Sequence, residues 1–115
     1  MIKNIGIIGG GHFAGYLVEG FSVAAPEIKI VLSPRSKDKS QFLAQKFNCD
    51  IADNNQDVID RSDIIILSIK PIDLKDVIKD LNFTKKKLVI SVVAGSDLNE
   101  LSSLVEPANV VCSLP

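Results

Sequence analysis

Short runs of β-branched residues alternate with segments of helical spacing along the chain, and this alternation limits the possible folds most strongly. The runs predicted to be strands are residues 5–8, 28–32, 49–52, 63–69, 88–93 and 109–112. A helical segment separates most successive runs, and such a crossover is the connection that parallel strands need. The sequence therefore predicts one α/β domain over residues 1–115, a doubly wound parallel sheet of about six strands.

The helical segments show start signals and apolar faces. The start signals are Ser36, Asn54 and Asn55 as N-caps, Pro71 in a first turn, and Asp97, which has capping-box spacing to a glutamate. The residues predicted to be buried are Phe13, Leu17, Val18 and Phe21, then Phe42, Leu43 and Phe47, then Val58 and Ile59, then Leu74, Val77, Ile78 and Leu81, and finally Leu98, Leu101, Leu104 and Val105.

Composition excludes several classes of partner. Thirteen Lys and Arg against fourteen Asp and Glu give a formal net charge of −1, so there is no basic footprint for nucleic acid or an anionic membrane. The longest aliphatic run, residues 64–67, is far shorter than the roughly 20 residues of a spanning helix. Cys49 and Cys112 show no metal spacing and are predicted to be reduced thiols. We expect a cytoplasmic protein with no nucleic-acid, membrane or metal partner.

A glycine-rich motif follows the first predicted strand. Residues 9–14 fit G-x-G-x-x-A, with Gly9, Gly11 and Ala14 at the small positions. The first glycine permits a tight turn, the second lets a pyrophosphate approach the backbone, and the third small residue allows close helix packing. The next helix would direct its N-terminal N–H groups at the phosphates. The motif predicts dinucleotide binding, and the alternative is a purely structural glycine turn.

The residues after the second predicted strand favour one dinucleotide over the other. An NAD site places an acid there, but no acid occurs before Asp38. Arg35 can pair with a 2′-phosphate, and the hydroxyls of Ser33 and Ser36 can donate to it. The sequence favours NADP (NADPH), with NAD possible; the alternative is an ordinary turn with an exposed arginine.

His12 is the only histidine, and it lies at the start of a predicted helix, where the helix dipole disfavours the imidazolium. We interpret it as part of the phosphate loop rather than as an acid or base. Without a second histidine, a cysteine paired with one, or a metal-ligand cluster, hydrolytic and zinc chemistry are excluded and no catalytic side chain is predicted.

Several local patterns occur in the order found in one enzyme family. Besides residues 5–14 these are Ser33-Pro34-Arg35, Asn55, residues 68–71 (Ser-Ile-Lys-Pro), residues 93–95 (Val-Ala-Gly) and residues 110–115. Together they resemble the N-terminal cofactor-binding domain of pyrroline-5-carboxylate reductase, along nearly the whole chain. The resemblance implies a Rossmann fold and hydride transfer from NADPH or NADH to the C=N carbon of a cyclic imine, 1-pyrroline-5-carboxylate, which gives proline.

The motif and the resemblance together predict the cofactor site. Its residues are Gly9, Gly11, His12, Phe13, Ala14, Ser33, Arg35, Asn55, Ile69, Lys70, Pro71, Ala94 and Gly95. By resemblance, Ile69 and Lys70 border the nicotinamide ribose, while Ala94 and Gly95 let the ring approach. The alternative for Lys70 is a surface charge near a helix N-terminus.

The chain departs from the family at its end. Cys112 stands where an arginine is often found, and the sequence stops at Pro115, before the family's helical dimerisation domain. We therefore expect weak or no catalysis by this chain alone. We also expect Val110, Val111 and Leu114 to lie uncovered or to contact a second copy in a homodimer. Two alternative functions are a deazaflavin-dependent NADP reductase and a non-catalytic dinucleotide-sensing module.

Overall fold

The computed structural model describes residues 3–9, 12–34, 37–93 and 98–112. Strands and helices alternate along them as predicted, with strand ends within two residues of the expected positions. The strands are β1 (Asn4–Gly9), β2 (Lys29–Leu32), β3 (Asp50–Ile51), β4 (Ile64–Ser68), β5 (Leu88–Ser91) and β6 (Asn109–Cys112). The helices are α1 (His12–Ala24), α2 (Lys37–Phe47), α3 (Asn55–Arg61), α4 (Pro71–Ile78) and α5 (Leu98–Val105).

All six strands form one sheet in the order β3-β2-β1-β4-β5-β6, and every neighbouring pair is parallel. The order runs outward from β1 in one direction and from β4 in the other, so the topology switches between these two central strands. Open α/β sheets bind ligands outside the carboxyl ends of the strands at such a switch point. The predicted doubly wound Rossmann sheet is confirmed.

The alternation of side chains along the central strands builds a core on each face of the sheet. On β1, Ile5 and Ile7 join a cluster with residues of α1 and α2, whereas Ile8 joins the cluster on the opposite face. On β4, Ile66 belongs to the first cluster, and Ile65 belongs to the second, with residues of α3, α4 and α5. Helices therefore cover both faces of the sheet, which gives a three-layer domain.

Two residues predicted to be buried are exposed, and these predictions were wrong. Phe42 is 61% exposed because α2 packs through Leu43, and the ring of Phe42 lies 5.6 Å from the Nζ of Lys46 instead. Leu98 is 50% exposed because α5 packs through residues further along the helix, and Leu98 is its first residue. The predicted cap at Asn54 is confirmed, since its Oδ1 accepts the Asp57 N–H at 2.8 Å.

The predicted caps at Ser36 and Asp97 lie outside the described residues.

Within the described residues no helix has the length and apolar character to cross a membrane. The same part of the chain contains no group of three or more His, Cys, Asp or Glu able to hold a metal ion. Cys49 and Cys112 are free thiols, as predicted, and burial raises the pKa of Cys49 to about 11.

A carboxylate joins the two central strands at the amino-terminal edge of the sheet. Asp63 precedes β4, and its Oδ2 accepts the backbone N–H groups of Lys3 at 2.9 Å and Asn4 at 3.1 Å. These two hydrogen bonds hold the pKa of Asp63 below its ordinary value of 3.8. The ionised carboxylate therefore stabilises the start of β1 beside β4.

Replacing Asp63 with asparagine should lower the free energy of unfolding at neutral pH by about 1 kcal/mol or less, since water screens a charge at the surface. Because the folded-state pKa is lowered, this contribution is present above pH 3.8 and is lost as the pH falls through the folded-state pKa. Urea unfolding of the native chain and Asp63→Asn between pH 7 and pH 2 should therefore converge at the acid end. The matched control is Asp80→Asn, at an exposed carboxylate; an equal effect of both variants would contradict the prediction.

Candidate functional site

The fold brings several of the predicted site residues to the carboxyl edge of the sheet. Gly9 is the last residue of β1, Ser33 directly follows β2, and Ile69 directly follows β4. Lys70 is the N-cap of α4 and Pro71 is its first residue. These residues come from strands that are neighbours at the topological switch point, as a ligand site at this edge requires.

Gly9 has a backbone conformation that suits a tight turn close to a neighbouring strand. Its φ is +117°, in the region that favours glycine. A Cβ at this position would collide with the carbonyl oxygen of Ser68, the residue that pairs with Gly9 between β1 and β4. The last residue of β1 therefore has to be a glycine, as is the first residue of a phosphate-binding turn.

Ser33 is connected to Gly9 through its side chain. Its Oγ accepts the Gly9 N–H at 3.1 Å and lies 3.4 Å from the Gly9 carbonyl oxygen, a longer contact in which the hydroxyl donates. The carbonyl of Ser33 accepts the hydroxyl of Ser40, on α2, at 2.9 Å. Ser33 is 1% exposed. The role predicted for its hydroxyl, donation to a 2′-phosphate, stays a prediction, and the contacts observed are with Gly9.

Asn55 lies at the start of α3, beside a cavity of about 430 Å³. The residues lining the cavity are Pro34, Asp53, Asn54, Asn55, Asp73, Asp76 and Val77. The Oδ1 of Asn55 is buried and has no hydrogen-bond partner within the described residues. Buried acceptors are normally paired, so this atom is an exception among the described residues. The volume of the cavity is in the range of small-molecule pockets, but the cavity is wide open to solvent.

The residues after β4 differ in exposure. Ile69 is 5% exposed and belongs to the core, whereas the side chain of Lys70 is exposed to solvent. Lys70 has extended backbone angles, φ −62° and ψ 141°, and the following Pro71 occupies the first helical position, as predicted. On α1, Ala14 is 2% exposed, so a small residue lies where the helix packs against the sheet.

Gly11, Arg35, Ala94 and Gly95 lie outside the described residues. The backbone at His12 and the next residue begins α1, and nothing is assigned to the two side chains. The roles of all these residues stay predictions.

Sequence reasoning missed most of the residues that line the cavity. Asp53 and Asn54 follow β3 at its carboxyl end, so the rule that drew attention to Ser33 could also have identified them. Asp73 and Asp76 come from α4, where they are two polar residues of an amphipathic helix. Nothing in their local sequence indicates that the fold places them beside α3.

Comparison with known proteins identifies relatives over most of the chain. Residues 4–95 match the family model described as NADP oxidoreductase, coenzyme F420-dependent. A pyrroline-5-carboxylate reductase from Glycine max is 33% identical over 102 residues, which cover 85% of this chain and 37% of that protein. The sequence resemblance to this group of reductases is therefore confirmed.

Solved structures agree with these relatives. The 1-pyrroline-5-carboxylate reductase of Streptococcus pyogenes superposes with a TM-score of 0.81 at 31% identity, covering 95% of this chain and 41% of that one. The pyrroline-5-carboxylate reductase of Coxiella burnetii gives a TM-score of 0.85 at 28% identity, with coverage of 96% and 43%. The chain thus spans about two fifths of the length of these relatives.

Proposed function

This chain belongs to the NADP oxidoreductase, coenzyme F420-dependent family, and from that premise we propose that it is the nicotinamide-dinucleotide-binding domain of a reductase acting on a cyclic C=N bond. The observation that carries the proposal is the conformation of Gly9 at the switch point of the sheet. Its φ is +117°, and it lies so close to Ser68 that the position accepts no side chain, so the backbone there is uncovered. The names of the relatives, pyrroline-5-carboxylate reductases, support an imine as the substrate.

The described residues fit the parts of a dinucleotide. The backbone at Gly9 would border the pyrophosphate, since no side chain at that residue blocks its approach. The cavity beside Asn55 would hold the adenosine. Backbone at Ile69 and Lys70 would border the nicotinamide ribose.

When bound, a reduced nicotinamide supplies the hydride that adds to the imine carbon, while the imine nitrogen gains a proton. The residues of this chain bind and orient the cofactor, because correct placement of the reacting atoms accounts for much of such a rate. No side chain of the chain is assigned as an acid or a base.

We assign NADP as the preferred cofactor because of Arg35, whose guanidinium can pair with a 2′-phosphate. The lining of the cavity carries three carboxylates, from Asp53, Asp73 and Asp76, and no lysine or arginine among the described residues. Such a lining suits an uncharged nucleoside rather than a phosphate group.

The proposal is tested by calorimetric titration of the chain with NADPH and with NADH. NADPH should bind more tightly, and Arg35→Ala should weaken NADPH by about tenfold or more while leaving NADH unchanged, since the change removes a charge-assisted hydrogen bond. Lys46→Ala, at an exposed cation near the other end of α2, is the control and should alter neither affinity. Absence of binding by both dinucleotides would refute the proposed function.

The description of the family favours one alternative, hydride exchange between NADP and a deazaflavin. Oxidation of NADPH by 1-pyrroline-5-carboxylate supports the imine reductase, whereas oxidation by a deazaflavin supports the alternative. Cofactor binding without turnover on either would favour a sensing module.

We also propose a cytoplasmic location and a homodimer through the β6 edge of the sheet. At this edge Val111 is 51% exposed and Val110 is half-buried. Leu114 lies outside the described residues.

A further inference from the structure

We propose that Gln56 is a positioning residue for the cavity beside Asn55, because its side-chain amide holds the segment after α4 against the start of α3. The inference rests on the proposed function, since this cavity is the part of the chain that would hold the adenosine of the dinucleotide. Gln56 itself does not line the cavity, so it would act through the two elements that do.

The cavity lies between two elements that follow different strands. One side consists of residues 53–55, which lead from β3 into α3, and the other consists of Asp73, Asp76 and Val77 on α4, while Pro34 completes the lining. The start of α4 comes shortly after β4, so the chain itself attaches this end of the helix to the sheet. The position of the other end of α4 depends on contacts with neighbouring elements.

The side-chain amide of Gln56 pairs with the main chain of Asn82, which follows the end of α4. Its Oε1 accepts the Asn82 N–H at 2.8 Å, and its Nε2 donates to the Asn82 carbonyl at 2.9 Å. The same Nε2 donates to Oδ1 of Asp60, one turn further along α3, at 3.0 Å. These partners determine the orientation of the amide, because with its two ends exchanged an NH₂ group would face the Asn82 N–H and an oxygen would face two acceptors.

Apolar packing alone does not determine how far α4 lies from α3 at the cavity. Leu74 and Ile78 of α4 share a core cluster with Val58 of α3, but the gain from burying apolar surface has no preferred direction. A hydrogen bond weakens steeply with distance and angle, so two bonds to one residue define both. Phe83, the residue after Asn82, is 6% exposed and belongs to the same cluster, so the core holds the segment as well.

The experiment measures the affinities of the native chain, Gln56→Ala and Gln56→Glu for two ligands that share the adenosine. NADPH is titrated by calorimetry, and adenosine 5′-monophosphate is titrated by NMR at millimolar concentration, both well below the unfolding transition. Gln56→Ala should weaken both ligands by the same factor, about fivefold, because the cavity loses its defined width. Gln56→Glu keeps the shape of the side chain but replaces the donor with an oxygen facing the Asn82 carbonyl and the Asp60 carboxylate, so it should weaken both by about tenfold or more.

The matched control is Asn4→Ala. The Nδ2 of Asn4 donates to the carbonyl of Arg61 at 2.7 Å, so this variant also loses a bond between a side-chain amide and the main chain. Arg61 is the last residue of α3, at the opposite end of the helix from the cavity lining. Asn4→Ala should lower Tm without changing either affinity, which is the result that a purely structural role of Gln56 would also give.

The native chain provides a second measurement, because coupling between two sites is reciprocal. If the pairing of Gln56 with Asn82 favours binding in the cavity, saturation with adenosine 5′-monophosphate should favour the pairing. Hydrogen exchange of the Asn82 N–H should therefore slow, although Asn82 is exposed and does not line the cavity. This measurement tests the inference even where a Gln56 variant fails to fold.

Three results would overturn the inference and leave the proposed function standing. They are unchanged affinities in both Gln56 variants, a loss confined to NADPH, and an Asn82 N–H that exchanges as an open amide with and without the nucleotide. Absence of dinucleotide binding by the native chain would refute the proposed function, and the inference with it.

Discussion

Gly9→Ala should be among the most damaging single substitutions in this chain, lowering the free energy of unfolding by about 3 kcal/mol or more. Alanine at φ +117° is strained, and its Cβ would collide with the carbonyl oxygen of Ser68. That oxygen belongs to the backbone of β4, which is paired on both sides, so it cannot move away without disrupting the sheet. Because domains are stable by only about 5–15 kcal/mol, the loss should be visible as a large fall in Tm.

The measurement is thermal and urea unfolding of Gly9→Ala beside Gly15→Ala. A Cβ at Gly15 would lie 3.9 Å from Leu43 Cδ2, an ordinary van der Waals distance, so this substitution in α1 should be tolerated. At low temperature, any folded Gly9→Ala should also bind NADPH and NADH more weakly. Equal stability of the two variants would show that Gly9 is not constrained as the structure indicates.

Much of the fold could be predicted because its signals are local. The aliphatic run that becomes β4, the proline at position 71 and the N-cap at Asn54 each act within one turn or one strand. The parallel topology follows from the helical crossovers, and it predicts that Gly9, Ser33 and Ile69 lie at one edge of the sheet.

The remainder depends on contacts between distant residues. Ser33 and Gly9 are separated by 24 positions in the sequence. A serine that follows a strand can equally well face a ligand or form a hydrogen bond with the neighbouring strand of the sheet. The side of the cavity formed by Asp73 and Asp76 depends on how α4 lies beside α3, which periodicity does not define. The exposure of Phe42 likewise depends on which side of α2 meets the sheet. Local patterns identify the elements, while side-chain partners require the packed structure.

Gly6→Ala should also destabilise the protein strongly, by about 2–3 kcal/mol, although Gly6 lies within β1 and away from the cofactor site. A Cβ there would collide with the Oγ of Ser62 and lie 2.6 Å from Cγ1 of Val58. Both residues are buried, with exposures of 1% and 0%, and neither has room to turn aside. The glycine therefore lets the end of α3 pack directly on the central strand.

The control is Gly20→Ala in α1, where no atom lies within 4 Å of the added Cβ, and this variant should be stabilised by about 0.5–1 kcal/mol. Ser62→Ala removes the nearest obstacle, and it should cost little alone because its buried hydroxyl has no hydrogen-bond partner within the described residues. Unfolding of the double variant Gly6→Ala/Ser62→Ala should therefore show a smaller loss than the sum of the single effects. Strict additivity would mean that the Gly6 effect does not arise from contact with Ser62, and the packing of α3 on β1 would need another explanation.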